Sequence, residues 1–210
     1  KRNHALLVYP EFPVSYWSFR YALEFVGKKS NMPPLGLLTV AGMFPSDRWD
    51  LRVVDMNVEE LTDAHLKWAD YVFLSTMVVQ RDSLRNVVRR CNTAGVPVVA
   101  GGPHPTSFHE EMDEWDDARV DYYVLGEVEE ILPTLLQALE TGKAERLTKA
   151  PPVGSVSIAE APVPRYDLVP LHLYGSMAIQ FSRGCPFDCE FCDITKLFGR
   201  VPRTKSNEQV

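Results

Sequence analysis

Cys185, Cys189 and Cys192 stand in the spacing Cys-x3-Cys-x2-Cys inside the run QFSRGCPFDCEFCDI. Thiolates at such short intervals are ligands of iron–sulfur clusters, and a cubane [4Fe-4S] cluster takes four of them. Three on one loop leave one iron without a protein ligand and open to a small molecule, so the predicted site is reactive. Structural zinc sites present two ligand pairs, whereas the nearest histidine here, His172, lies well upstream and there is no second cysteine pair. A disulfide needs an oxidising compartment. Neither a charged n-region nor an apolar h-region opens the chain, and the expectation is a cytoplasmic protein with reduced thiols. Cys91, in the helical pattern SLRNVVRRCNTAG, is expected as a buried thiol without a role.

The elements that position this loop belong to an ordinary globular composition, with 210 residues, 45% hydrophobic and 24% charged. A net charge of −6 and a pI near 5.4 argue against a nucleic-acid surface, which is built from Lys and Arg. Arg89 and Arg90 read instead as the solvated face of a helix. No stretch approaches the roughly 18 apolar residues that span a bilayer, which leaves peripheral membrane contact open.

Short apolar runs alternate with longer helical ones, the pattern of a parallel sheet covered on both faces. Strands are predicted at 5–9, 51–55, 71–76, 96–102 and 121–125, and helices at 35–44, 59–68, 80–94, 105–114 and 127–140. Near-continuous Val, Leu and aromatic content in the strands fits burial on both faces. The fold class predicted is α/β, a doubly wound, mainly parallel, five-stranded flavodoxin-like domain of order 2-1-3-4-5.

Ligands of such sheets bind outside the carboxyl ends of the strands. The candidates there are Pro10 and Glu11, Asp55, Ser75 and Thr76, Gly101 and Gly102, and Gly126 and Glu127. Paired glycines let a ligand approach the backbone closely, although a Gly-Gly turn is equally ordinary turn chemistry. No G-x-G-x-x-G follows the first strand, which disfavours a nicotinamide cofactor.

A long connection over 11–34 carries Tyr16, Trp17, Phe19, Tyr21 and Phe25. Its aromatics either cover a flat macrocycle or substrate or pack against an adjacent domain. The domain is read over 1–148 and a Pro-rich linker over 149–175, with the start of a β/α barrel at 176–210. SMAIQFS (176–182) is expected as that barrel's first strand, delivering directly into the cysteine loop. A complete barrel does not fit in the residues that remain, so the chain is expected to be a fragment of a longer enzyme.

The cysteine spacing with Phe191 before the last thiol resembles the signature of radical S-adenosylmethionine (SAM) enzymes. PPLGLLTVAG (33–42), WADYVFLSTMVVQ (68–80), VVAGGPHPT (98–106), DYYVLGEVEEILP (121–133) and residues 179–205 together resemble the cobalamin-binding members of that group, nearest to hopanoid methylase-like proteins. The resemblance implies a Rossmann-like cobalamin domain joined to a radical SAM barrel. It implies cluster ligation by Cys185, Cys189 and Cys192, with SAM at the open iron and Phe191 cradling adenine through its backbone. Ser75, Thr76, Gly101 and Gly102 match positions that line the cobalamin nucleotide tail. The implied reaction is methylation of an unactivated carbon of a small-molecule or lipid substrate, with a flavodoxin or ferredoxin as reductant. Alternatives are oxidation, cyclisation or rearrangement with the same cofactors, or an isolated corrinoid-binding module without catalysis. One departure bears on cobalt. The cobalt-ligating Asp-x-His-x-x-Gly is missing after the first strand, and Asp63-Ala64-His65 imitates it only in part, with Trp68 where glycine is required. Cobalamin is therefore expected without that histidine ligand.

Overall fold

Segments largely apolar on both faces, β1 (Asn3–Tyr9), β2 (Trp49–Asp55), β3 (Tyr71–Ser75), β4 (Val98–Gly101) and β5 (Tyr122–Leu125), pair into one sheet that β6 (Leu147–Lys149) extends. The computed structural model describes residues 2–159 and 161–210; Lys1 and Glu160, the latter within the stretch read as a linker, lie outside the described residues. The order is β2-β1-β3-β4-β5-β6 and every pair is parallel. The first five strands stand in the expected order, and the count of five is corrected to six. β6 is three residues of half-exposed Leu-Thr-Lys, too short and too polar to read as a strand, and it joins at the edge, where one partner suffices.

The connections carry α1 (Arg20–Phe25), α2 (Leu35–Ala41), α3 (Asp63–Trp68), α4 (Arg81–Ala94), α5 (Pro103–Asp113) and α6 (Leu132–Glu140). Side chains alternate across the strands and divide the core in two. Ala5 and Leu7 join Phe73, Val99 and Val124 under α2 and α6, which bury Leu37, Leu38, Leu135 and Leu136. Leu6 and Val8 join Leu74, Val98 and Ala100 under α3, α4 and α5, which bury Leu66, Leu84, Val87 and Met112. In α4 the spacing Leu84, Val87, Val88, Cys91 forms one apolar stripe, and Gly95 ends the helix in the left-handed conformation. Burial pushes the Cys91 thiol up to about 12, so it stays protonated and packs as a small apolar group.

Residues 150–159 and 161–176 run as a packed strap. Val156, Ile158, Val169 and Tyr174 are buried. The Arg165 amide donates to the Leu38 carbonyl at 3.0 Å, and the Gly175 amide donates to Ser30 at 2.9 Å, so the strap is tied to α2 and to the end of the aromatic connection.

The strand expected over 176–182 is corrected. Only Ser182 and Arg183 are strand, as β7 (Ser182–Arg183), which pairs antiparallel with β8 (Arg203–Thr204) and not with the sheet. The apolar run before them finds no ladder among the described residues, and a run without inter-strand hydrogen bonds stays irregular. A single turn, α7 (Ile194–Phe198), follows the cysteine loop.

Candidate functional site

At the carboxyl edge the loops leaving β1, β2 and β3 are tied together by side chains that periodicity does not reveal. Gln80 is fully buried; its amide donates to the Pro10 carbonyl at 2.5 Å and its oxygen accepts from the Met77 amide at 2.8 Å. The Asn57 side chain donates to Asp55 Oδ1 at 2.6 Å and accepts from the Phe12 amide at 2.9 Å. The Tyr174 hydroxyl, from the strap, donates to Asp55 Oδ2 at 3.0 Å. The Glu11 amide donates to Ser83 Oγ at 2.9 Å, leaving its half-exposed carboxylate 3.9 Å from Arg20. Burial raises the Asp55 carboxyl above its ordinary value against the opposing hydrogen bonds from Asn57 and Tyr174. Burial, then the nearby Asp55 charge, pushes Tyr9 up to about 12.

Between β3 and β5 the edge is built from the other candidates. Ser75 ends β3, and Thr76 follows it, buried, its hydroxyl without a partner among the described residues. The His104 amide donates to the Thr76 carbonyl at 2.9 Å, while the residue is 3% exposed with neither ring nitrogen partnered among the described residues. Burial, then the charge of Arg81, holds His104 below its ordinary value. The glycines are closed by protein. A Cβ on Gly102, at φ +88°, would lie 2.8 Å from Ser75 Oγ; one on Gly101 would lie 3.2 Å from the Val124 carbonyl; and one on Gly126 would lie 2.8 Å from Ala150. These three are required by close packing between loops, a reason distinct from ligand approach. The Gly126 amide is taken by Thr106 Oγ1 at 3.0 Å.

This edge fits a corrinoid by its chemistry. It has buried hydrogen-bonding groups without partners among the described residues, Thr76 and His104, beside Met77, Val78 and Val79, apolar side chains about half exposed. The aromatic connection adds Trp17, 77% exposed, and Phe25, 92% exposed. A concavity of about 510 Å³ opens at the opposite, amino end of the sheet beside Gly95, Pro97, Trp115 and Asp121, away from all of these groups. Of the other histidines, His65 caps α3 by accepting the Thr62 amide at 3.1 Å, and His4 stacks on Trp68.

The three cysteines are free thiols, Cys189 exposed and the other two half-buried. Gly184, at φ +96°, turns the chain so that the Cys185 amide reaches the Gly199 carbonyl at 3.1 Å; a Cβ there would strike the Val201 carbonyl at 2.6 Å. The Cys192 amide closes a turn on the Cys189 carbonyl at 3.1 Å, with Phe191 fully presented to solvent. Among the described residues no three His, Cys, Asp or Glu side chains converge on one metal ion. A four-iron cluster takes one thiolate per iron, and the three free thiols within residues 185–192 are donors for three of the four.

Glu127 joins the two regions. Its Oε1 accepts from Arg183 at 2.8 Å and from Arg203 at 3.0 Å, and Arg183 also reaches Glu129 at 2.7 Å. Burial opposes the charge on Arg183, but Glu129 and Glu127 outweigh it and hold the guanidinium above the ordinary arginine range. Neither arginine is visible as a site residue in the sequence. The available signal is a Glu-x-Glu pair directly after a buried strand, where an unpaired carboxylate would be costly.

The B12 binding domain family matches residues 28–136, from the end of the aromatic connection into α6. The chain is 45% identical over 206 residues, 98% of its length, to an uncharacterized methyltransferase of Synechocystis. It is 33% identical over 208 residues, again 98% of its length, to the hopanoid C-2 methylase of Rhodopseudomonas palustris. It is 26% identical over 203 residues, 86% of its length, to the hopanoid C-3 methylase of Methylococcus capsulatus. It spans 37%, 38% and 39% of those three relatives.

Proposed function

This chain belongs to the B12-binding domain family, and from that premise we propose that it holds cobalamin at the carboxyl edge of its sheet within a longer radical SAM methyltransferase. The observation that carries the reading is the family match, which contains the strand ends Asp55, Ser75, Gly101 and Leu125, in one chain with the Cys-x3-Cys-x2-Cys loop. The relatives named as methyltransferase and hopanoid methylase support methyl transfer to carbon, on a small-molecule or lipid substrate. No helix among the described residues is long and apolar enough to cross a membrane.

When bound, cobalamin would supply a methyl-carrying metal, and a reduced cluster would supply one electron to SAM, whose cleavage starts radical chemistry at an unactivated carbon. The chain's own part is binding and orientation. Thr76 and His104 offer hydrogen bonds at the edge, Met77, Val78 and Val79 exclude water beside it, and Ser75, Gly101, Gly102 and Gly126 fix the loop positions. Pro10, locked by Gln80, and Glu11 border the same edge at β1. Cys185, Cys189 and Cys192 would hold the cluster, and the backbone at Phe191 would meet the adenine of SAM. A flavodoxin or ferredoxin would deliver the electron. Cobalt would carry no imidazole from this chain: residues 10–34 contain no histidine, and burial disfavours movement of His104 toward a ligand.

The test is anaerobic loading of the full-length protein, with on the order of one corrinoid and one four-iron cluster expected per chain. Replacing Cys185, Cys189 and Cys192 together by alanine should remove the iron and leave the corrinoid. Full-length protein that takes up no corrinoid ends the reading. Deoxyadenosine formed with no methylated product would redirect it to oxidation or cyclisation. Nitrogen splitting in the cob(II)alamin electron paramagnetic resonance spectrum, lost on His104→Ala, would overturn the assignment of cobalt without imidazole.

A further inference from the structure

We propose that Glu127 is a positioning residue that closes the base of the cysteine loop, holding that loop to the sheet edge through Arg183 and Arg203; as a statement about a cluster loop this rests on the function proposed above. Arg183 and Arg203 are direct cross-strand partners in the β7–β8 pair, and between them lie residues 184–202 with all three loop cysteines. Two like charges opposite each other in an antiparallel pair repel, so this two-residue ladder is unfavourable by itself. It is also too short to persist alone. Closing a loop of that length adds an entropic cost.

Glu127 reverses the sign of the interaction. One of its oxygens sits between the two guanidiniums, at 2.8 Å from Arg183 and 3.0 Å from Arg203, and Glu129 takes the second amine of Arg183 at 2.7 Å. The four side chains sum to no formal charge. The Glu127 side chain is 3% exposed, that of Arg183 is 10% and that of Arg203 is 15%. In such a setting neither arginine can lose its carboxylate without stranding a charge. Arg203 also donates to the Val156 carbonyl of the strap and, at 2.8 Å, to the Phe198 carbonyl at the end of α7. One residue therefore binds the strap, the loop's exit and the sheet edge. Among the described residues none from 176 to 210 is buried, so the segment has no apolar core of its own to hold it. Glu127 follows Gly126, whose amide is fixed to α5 through Thr106, so the anchor on the sheet side is rigid.

The first measurement is hydrogen–deuterium exchange on the full-length protein without cofactors. In Glu127→Gln, which keeps the shape and removes the charge, peptides covering 182–204 should exchange at least about tenfold faster, with β1 to β4 unchanged. Arg203→Met removes the contact from the loop's side and should give the same local result; it decides the matter if Glu127→Gln does not fold. The second measurement is on reconstituted protein, where both variants should show a shifted spectrum of the reduced cluster and faster loss of iron. Unchanged exchange over 182–204 in the folded variants overturns the proposal, as does a cluster spectrum identical to wild type. Wild-type protein that loads no iron would defeat the proposed function, while the exchange experiment would still decide the closure.

Discussion

The sheet with its helices and the cysteine-bearing tail are built on opposite principles. Residues 3–140 bury two apolar layers, and every strand from β1 to β5 contributes fully buried or nearly buried side chains to them. Residues 176–210 bury no residue at all and hold their shape by one ion quartet, a two-residue ladder and a few backbone hydrogen bonds. Apolar burial is additive, non-directional and tolerant of small shifts, whereas a buried ion pair is geometric and fails when either partner leaves. The carboxyl edge of the sheet is thus set by the domain's own core. The cysteine-bearing tail borrows its position from that domain.

The largest effects should fall in the core. Leu136 on α6 is fully buried, and Leu136→Ala should cost about 2–5 kcal/mol. Leu197 on α7 is only half-buried, and Leu197→Ala should cost less than about 1 kcal/mol. Urea unfolding followed by the fluorescence of buried Trp49 checks both. Comparable losses from the two substitutions would mean that the tail has a core of its own.

Next come the glycines that close each region. Gly102→Ala combines a positive φ with a Cβ 2.8 Å from Ser75 Oγ, and should cost about 1–3 kcal/mol of domain stability. Gly184→Ala meets a backbone oxygen at 2.6 Å, a contact at least as severe. Its expected result is nevertheless different: faster proteolysis within 184–202 with the domain's unfolding midpoint unchanged. Loss of corrinoid in Gly102→Ala alone would not identify a ligand contact, since the strain disturbs Ser75 and Thr76 directly.

How much of this is legible in the sequence follows the same division. YVFLS, VVAG and YYVL are strands whichever neighbours they take, because continuous apolar residues must be covered on two faces, and their order follows from the connection rules for parallel sheets. The cysteine spacing is legible because it is confined to one short run. LTK at β6 is missed because edge pairing needs little side-chain signal. SMAIQFS is misread as a strand because its apolar residues predict burial while the ladder that would use them is absent among the described residues. The quartet is beyond any window: Glu127 and Arg203 are 76 residues apart, and Glu127 alone reads as a ligand candidate at a strand end, not as a partner of arginines. Gln80 and Asn57 likewise look like ordinary loop polars until their hydrogen bonds to Pro10, Asp55 and Phe12 are seen.

A smaller effect should separate the β1–β2 side of the edge from the rest by pH. The folded-state value of Asp55 is raised, so the folded protein binds its proton more tightly than the unfolded chain does. The corresponding stability is present at acid pH, below the ordinary value of 3.8, and is lost as pH rises through the raised folded value. Asp55→Asn keeps an acceptor for Asn57 and should remove that slope. Identical pH profiles for wild type and variant would show that Asp55 is ionised in the fold without cost.

The smallest effect concerns His104, on the β4 side, and its sign is the reverse. Its folded-state value lies below the ordinary 6.5, because burial and Arg81 disfavour the imidazolium, while the weaker pull of Glu111 acts the other way. The unfolded chain therefore takes up the proton first as pH falls. Stability from a neutral His104 is fully present above about 6.5 and is lost as pH falls toward and through the lowered value. His104→Gln, neutral throughout, should flatten this part of the profile between neutral pH and the range where carboxylates begin to titrate. The measurement is the unfolding midpoint of the full-length protein in closely spaced buffers over that range. Bound corrinoid should deepen the wild-type slope if the unpartnered ring nitrogens accept a hydrogen bond from it, since only the neutral ring can accept. A slope equal in wild type and His104→Gln would move the acid sensitivity to another group and leave the imidazole as packing against Phe108, 5.4 Å away.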